Sequence, residues 1–306
     1  MGNNIIWDAE DWSRRFTGEN VNYKQLQREV WENTKAIVSA GGYTLPDGKH
    51  VVLDPQDRLQ ESSFYADEFR ANFEPLDVPA EVSLVRADTL DAAHKWVQEG
   101  LDVSVLNFAS RRNPGGGVHS GSGAQEEYLF RCSDYYRFMY CFTGYSEEYG
   151  LKRSHHQYPL DRNFGGVYSP NVTVFRENER KGYKLVSDTW KVNMIAVAAM
   201  NSPRIVIVDG EERIVPEHVI GVKNKMRTIF RIACAHQQRN LVLGAWGCGA
   251  FHNPPKHIAE LFREVMDEQE FAGAFRRICF AVNNRPSQPD TNYRAFKEVF
   301  DAEGGN

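Results

Sequence analysis

Gln125-Glu126-Glu127 set two carboxylates side by side, and before them, across a spacer of seven residues, stands an uninterrupted triplet, Gly115-Gly116-Gly117. A carboxyl group held in place transfers protons in general acid–base chemistry. Neighbouring residues on a helix project about 100° apart, so Glu126 and Glu127 are not expected to face one bond together. The division this implies is one positioning acid and one proton-transferring acid. The glycines stand in VLNFASRRNPGGG, just past a run of strand character, where backbone N–H groups can turn toward an anion.

A second segment, LVLGAWGCGAFHNPP (241–255), has the same order: apolar run, then Gly244, Gly247 and Gly249, then Phe251, Asn253 and a proline-started helix. Neither loop is GxGxxG or GxxxxGK[ST], which weakens a Rossmann or P-loop reading. Two glycine loops at strand ends of one sheet can flank a diphosphate. Each feature also has a structural reading. Ser122-x-x-Gln125 fits a capping box, and acids in a first helical turn complement the helix dipole. Cys248, between two glycines, reads as a small residue filling a tight loop rather than a nucleophile, because no His–Asn motif accompanies it.

The elements that must position these residues alternate strand and helix from residue 81 onward. Strands are expected at 81–86, 103–108, 172–175, 194–199, 241–244 and 277–282. Helices are expected at 88–100, 125–142, 222–236, 254–269 and 293–300. Such alternation implies an α/β fold with a mostly parallel sheet and helices on both faces. Before it, residues 1–79 read as a mainly helical N-terminal extension, with a helix over Tyr23–Ala40 stopped at Gly41-Gly42, a short strand at 50–53 and a polar connection at 54–79. Residues 80–306 are then the catalytic core, with 143–190 its least regular stretch.

Composition bounds the function. The chain has 306 residues, 42% hydrophobic and 25% charged, as in ordinary globular domains. Its 36 basic and 41 acidic residues leave a net charge of −5, against bulk binding of nucleic acid or anionic membrane. No stretch nears the roughly 18 apolar residues of a membrane span, and MGNNIIWDAEDW has neither the basic start nor the apolar core of a secretory signal. Five cysteines without CxxC spacing read as reduced thiols in a cytoplasmic compartment. HExxH, an Asp-rich run and a paired-cysteine site are lacking, so no metal or other cofactor is expected.

The run NFASRRNPGGG, the seven-residue spacer, QEE and the later GAWGCGAFHN resemble the signature of the microbial-type poly(ADP-ribose) glycohydrolases, and the likeness extends to the last strand. The resemblance implies a macrodomain-like mixed sheet sandwiched by helices, and hydrolysis of ribose–ribose O-glycosidic bonds in poly(ADP-ribose), from chain ends, to release ADP-ribose. It implies Glu127 as acid/base and Glu126 as holder of a ribose hydroxyl. Gly115, Gly116 and Gly117 would wrap the diphosphate and terminal ribose, and Gln125 would be a further substrate-binding residue. Gly247, Cys248, Gly249 and Ala250 would supply opposing backbone donors, and Phe251 would pack under the ribose. Asp88 would accept from the adenine amino group, although its place equally suits a helix N-cap. Asn113 would bond the distal ribose, and Phe280 or Asn283 would flank the adenine. His252 departs from the Arg or Gly common at its position, and His119 adds a titrating group inside the spacer.

Most glycosidases divide acid and base between two separated carboxylates. Here one carboxyl, Glu127, would protonate the leaving ribose oxygen and then take a proton from water. The expected partners are poly(ADP-ribose) or ADP-ribosylated protein, with no bulk nucleic acid and no membrane. Two rivals stand beside this reading: a mono-ADP-ribosyl hydrolase acting on protein or nucleic acid, and a non-catalytic ADP-ribose-binding macrodomain. Binding needs the loops but not Glu127, so that residue separates enzyme from binder.

Overall fold

Short polar residues open the helices and set the frame. In the computed structural model, which describes residues 5–53, 62–151, 157–283 and 290–301, Asp8 caps helix α1 (Ala9–Phe16) and Asn22 caps α2 (Tyr23–Ala40), each accepting a backbone N–H with its side chain. Leu26, Val30, Trp31, Ile37 and Val38 line the buried face of α2, as their spacing predicts, and Gly41 ends it. Two short strands follow, β1 (Gly42–Thr44) and β2 (His50–Val52), paired antiparallel. Of the connection expected at 54–79, residues 54–61 lie outside the described residues, and β3 (Ser63–Tyr65) falls in the rest.

The alternation then appears as β4 (Glu81–Val85), α3 (Thr89–Gln98) and β5 (Ser104–Phe108), and after the glycine triplet as α4 (Gln125–Cys132) and α5 (Tyr136–Tyr140). Next come β6 (Gly166–Arg176), β7 (Leu185–Val197), β8 (Ile205–Val208) and β9 (Glu211–Ile214). The chain closes with α6 (Pro216–Ala235), β10 (Asn240–Leu243), α7 (Pro255–Met266), β11 (Arg277–Ala281) and α8 (Thr291–Phe300). The main sheet has the order β3-β6-β7-β5-β10-β11-β4. Strands β7, β5, β10, β11 and β4 run parallel to one another, with Val105 opposite both Met194 and Val242. Val105, Leu106, Leu241, Val242 and Leu243 are all buried, the mark of a sheet covered on both faces.

By internal contact the chain forms two units. One comprises Met1–Ser63, Arg112–Tyr158 and Ser169–Val192, so residues 1–63 cluster with the acid-bearing segment. The other comprises Phe64–Arg111, Pro159–Tyr168 and Asn193–Asn306. In the second unit, Phe230, Phe262, Phe271, Phe275 and Phe280 pack into one aromatic core. Phe280 is fully buried, stacked on Phe300 at 4.4 Å, which makes it a core ring and not the adenine-flanking one expected.

Several elements differ from the sequence reading: β6 and β7 are long strands that reach into 143–190, the stretch expected to be least regular, because their residues are largely buried in the sheet. The helix expected over 125–142 breaks at Ser133, whose backbone is extended. Ser133 Oγ donates to Leu129 O at 2.7 Å and Asp134 Oδ1 accepts from Thr173 N at 2.8 Å, so two short polar side chains bond backbone and stop the helix. Helix α6 begins at Pro216, not 222, because proline suits a first helical turn. Strands β8 and β9 form a hairpin through Asp209-Gly210, a turn pair characteristic of tight hairpins.

Candidate active site

Helix α4 carries Glu126 and Glu127 in its first turn, and both are buried, at 3% and 6% exposure. Buried carboxylates need donors, and the glycine triplet supplies them. Gly115 N donates to Glu126 Oε1 at 3.0 Å and Gly117 N to Glu127 Oε1 at 2.7 Å. Ala124 N donates to Glu127 Oε2 at 3.0 Å, closing the helix start on the acid itself, with Ala124 and not Ser122 at the cap. Gly116 N donates to the carbonyl of Asn113 at 2.8 Å. All three triplet amides therefore have acceptors within the protein, and the loop holds the acids.

Gly116 sits at φ +55, and a Cβ there would fall against Glu127 Oε1 and 3.2 Å from Glu126 Oε2. Both carboxyl groups thus converge on one glycine, although adjacent helix positions diverge. The loop lies across the start of α4 and meets both side chains. Gln125, half-buried, opens α4, and Asn113 is exposed at the head of the loop.

The spacer is built rather than slack. Residues 118–120 make a single tight helical turn, and Ser122 N returns to Gly117 O at 3.1 Å. Arg131, fully buried one turn beyond Glu127, donates to Ser122 O at 2.7 Å and to the Tyr183 hydroxyl at 3.1 Å. Sequence reasoning passed over Arg131, and its only signal was an arginine at i+4 from the acid. His119 Nδ1 accepts from the Trp31 indole at 3.3 Å, and its Nε2 lies 3.0 Å from the Tyr140 hydroxyl. An indole N–H can only donate, so Nδ1 carries no proton and Nε2–H donates to Tyr140. Burial, then the charge of Lys35, lowers the His119 pKa below its usual value. His119 is therefore held in its neutral form as a brace between Trp31 and Tyr140.

The second loop leaves β10 at Leu243. Trp246, fully buried, donates to Val197 O at 2.9 Å and pins the loop to the end of β7. Gly247 takes φ +77 because a Cβ would strike Ala199 Cβ at 2.7 Å and Asn253 Nδ2 at 2.8 Å. Asn253, 2% exposed, reaches Met200 O at 2.8 Å and Gly247 O at 3.0 Å, so it fixes the loop's shape from inside. Cys248 N donates to Ala245 O at 3.1 Å, and burial pushes the Cys248 thiol pKa up, away from a nucleophilic thiolate. Among the described residues, the N–H groups of Gly249, Ala250 and Phe251 meet no acceptor, and Gly249 and Ala250 are exposed. Phe251 is partly buried against the aromatic core, while His252 is exposed and donates its N–H to Gly249 O.

Asp88 is the N-cap of α3, accepting from Asp91 N at 2.9 Å, and it stays partly exposed. Asn283, exposed, follows the end of β11. Among the described residues, no three His, Cys, Asp or Glu side chains group closely enough to hold a metal ion. No helix among them is long and apolar enough to cross a membrane.

Residues 32–177 match the family model described as the microbial-type PARG, catalytic domain. Among solved structures, the chain is similar to poly(ADP-ribose) glycohydrolase from Thermomonospora curvata. A structure of that protein bound to the inhibitor ADP-HPD aligns with TM-score 0.72 and 29% identity over 90% of this chain and 100% of that one. The enzyme from Deinococcus radiodurans in complex with ADP-ribose aligns with TM-score 0.63 and 27% identity, over 83% of this chain and 100% of that one. No curated protein matches.

Proposed function

We infer, from the premise that this chain belongs to the microbial-type poly(ADP-ribose) glycohydrolase family, that it hydrolyses the ribose–ribose O-glycosidic bond and releases ADP-ribose. The observation that carries the reading is the pair of buried acids drawn onto one glycine. A binding module needs the loops but not a proton-transferring carboxyl at Glu127.

In the proposed reaction Glu127 gives a proton to the leaving ribose oxygen as the bond to the anomeric carbon breaks. Positive charge develops on the sugar, and water adds as Glu127 takes back a proton. Glu126 holds a ribose hydroxyl. The triplet positions both acids and, lacking side chains, lets the sugar approach closely. The unpaired amides of Gly249, Ala250 and Phe251 are the kind of donor a diphosphate takes, with Gly247 and Cys248 shaping that turn. Phe251 packs beneath the ribose, Asn113 bonds it, Gln125 lies at its rim, and Asp88 accepts from the adenine amino group. The substrate is the polymer or an ADP-ribosylated protein, without bulk nucleic acid or membrane. Five free cysteines support a reducing, cytoplasmic setting.

The test compares wild type with Glu127→Gln on purified polymer. Wild type should release ADP-ribose. The variant should bind polymer with unchanged affinity and lose at least about 100-fold in kcat. Equal rates would remove Glu127 from the chemistry. Tight ADP-ribose binding by a wild type that releases nothing would favour the module.

A further inference from the structure

Lys225 lies on the inward face of α6 and is 2% exposed, yet no acceptor among the described residues is within hydrogen-bond distance of its Nζ. A buried ammonium without a partner is costly, and an orphaned buried donor calls for an explanation. The surroundings provide one. One turn earlier on the same face, Gly221 packs against Asn163 Oδ1 and Met200 Cε, at 3.2 and 3.4 Å from where its Cβ would be. Met200 lies three residues past the end of β7, and Arg111 three residues past the end of β5, both at carboxyl ends of parallel strands. That edge is where open α/β sheets bind ligands.

Contacts tie Arg111 to the same place: it bonds Leu160 O, the residue before Asp161, and Asn163 two residues on packs against Gly221, one turn from Lys225. Asp161 is also engaged, its Oδ1 accepting from Asn163 N at 2.7 Å and Phe164 N at 2.9 Å. Arg111 donates one amino group to Leu160 O at 3.1 Å, which aims the guanidinium and leaves four of its five N–H donors. Burial holds the Lys225 pKa down to about 8, so at neutral pH the amine is still mostly charged.

We propose that Lys225 and Arg111 form an anion subsite, beyond the carboxyl ends of β5 and β7, for a phosphate-type oxyanion. Two sources offer that chemistry: free inorganic phosphate, and a diphosphate of the polymer unit adjoining the one cleaved. The second source rests on the glycohydrolase reading and the first does not.

The experiment titrates the full chain calorimetrically with inorganic phosphate, as wild type, Lys225→Met and Asp161→Asn. Wild type should bind one phosphate, Lys225→Met should bind at least tenfold more weakly, and Asp161→Asn at least threefold more tightly. The opposite signs keep the test decisive if one variant folds poorly. Phosphate that also inhibits polymer cleavage competitively in wild type, but not in Lys225→Met, assigns the subsite to the polymer. Binding without inhibition assigns it to free phosphate. Failure of wild type to bind millimolar phosphate, or equal binding by Lys225→Met, overturns the subsite and leaves the glycohydrolase reading untouched.

Discussion

Gly116 is the residue on which the acid pair depends most directly. It meets two demands at once: a left-handed backbone, and emptiness on the side facing both carboxyl groups. Alanine meets neither. Gly116→Ala should lose about 1–2 kcal/mol of stability from the backbone alone, while the added methyl displaces Glu127 Oε1. Because a misplacement of about 1 Å can cost 100-fold, kcat should fall by about that factor while affinity for ADP-ribose changes little. Parallel denaturant melts and steady-state kinetics check this, and unchanged kcat would mean Glu127 does not work from the position observed. The motif was legible in the sequence because GGG and QEE are contiguous residue types. That the triplet's amides bind the acids was not legible, since this depends on the loop folding back across the helix start.

The spacer and the helices around it show why elements carry information that a motif does not. His119 sits in the turn directly after Gly117, tied to α2 through Trp31 and to α5 through Tyr140. Lys35 and Glu32 of α2, and Glu148 with Tyr145 and Tyr149 of the segment after α5, complete its charged and polar surroundings. Its lowered pKa gives a definite sign. Above the unfolded value of about 6.5 both states hold a neutral ring and stability is full. As pH falls below that value the unfolded chain takes up a proton that the folded chain refuses, so stability declines until the folded-state pKa is passed. Trp31→Phe removes the donor at Nδ1, so the folded ring should titrate nearer 6.5 and the acid-side loss should shrink. An NMR titration of the His119 ring in both proteins checks this, and a wild-type ring titrating at or above 6.5 would remove the brace. The α2 helix itself was readable from its apolar spacing and its Gly41 end, whereas its Asn22 cap emerges only in the structure. The break at Ser133 was not, because Leu129, Phe130 and Phe138 keep a helical rhythm across it while Ser133 and Asp134 bond backbone.

Across the whole molecule the parallel strands β7, β5, β10, β11 and β4 were foreseeable, since continuous apolar runs alternating with helical ones leave few other arrangements. The Asp209-Gly210 hairpin was overlooked although its turn pair was in plain view, and Lys225 gave no signal because an isolated lysine on a helix ordinarily faces water. The net charge of −5 then bears on how a polyanion is recognised at all. A protein that binds a chain of phosphates through a track of lysines and arginines loses affinity steeply with salt, the logarithmic slope falling by about 0.7 for each phosphate neutralised on a single strand. Here the proposed diphosphate contacts are backbone amides, which release no counterion, and the proposed subsite adds two cations, Lys225 and Arg111. Polymer affinity should therefore fall with a slope no steeper than about −1.4, and screening of the overall negative charge should flatten it further. Dissociation constants of Glu127→Gln for polymer between about 50 and 200 mM salt measure that slope. A value near −4 would require a cationic track and would displace the amide loop as the principal hold on the substrate.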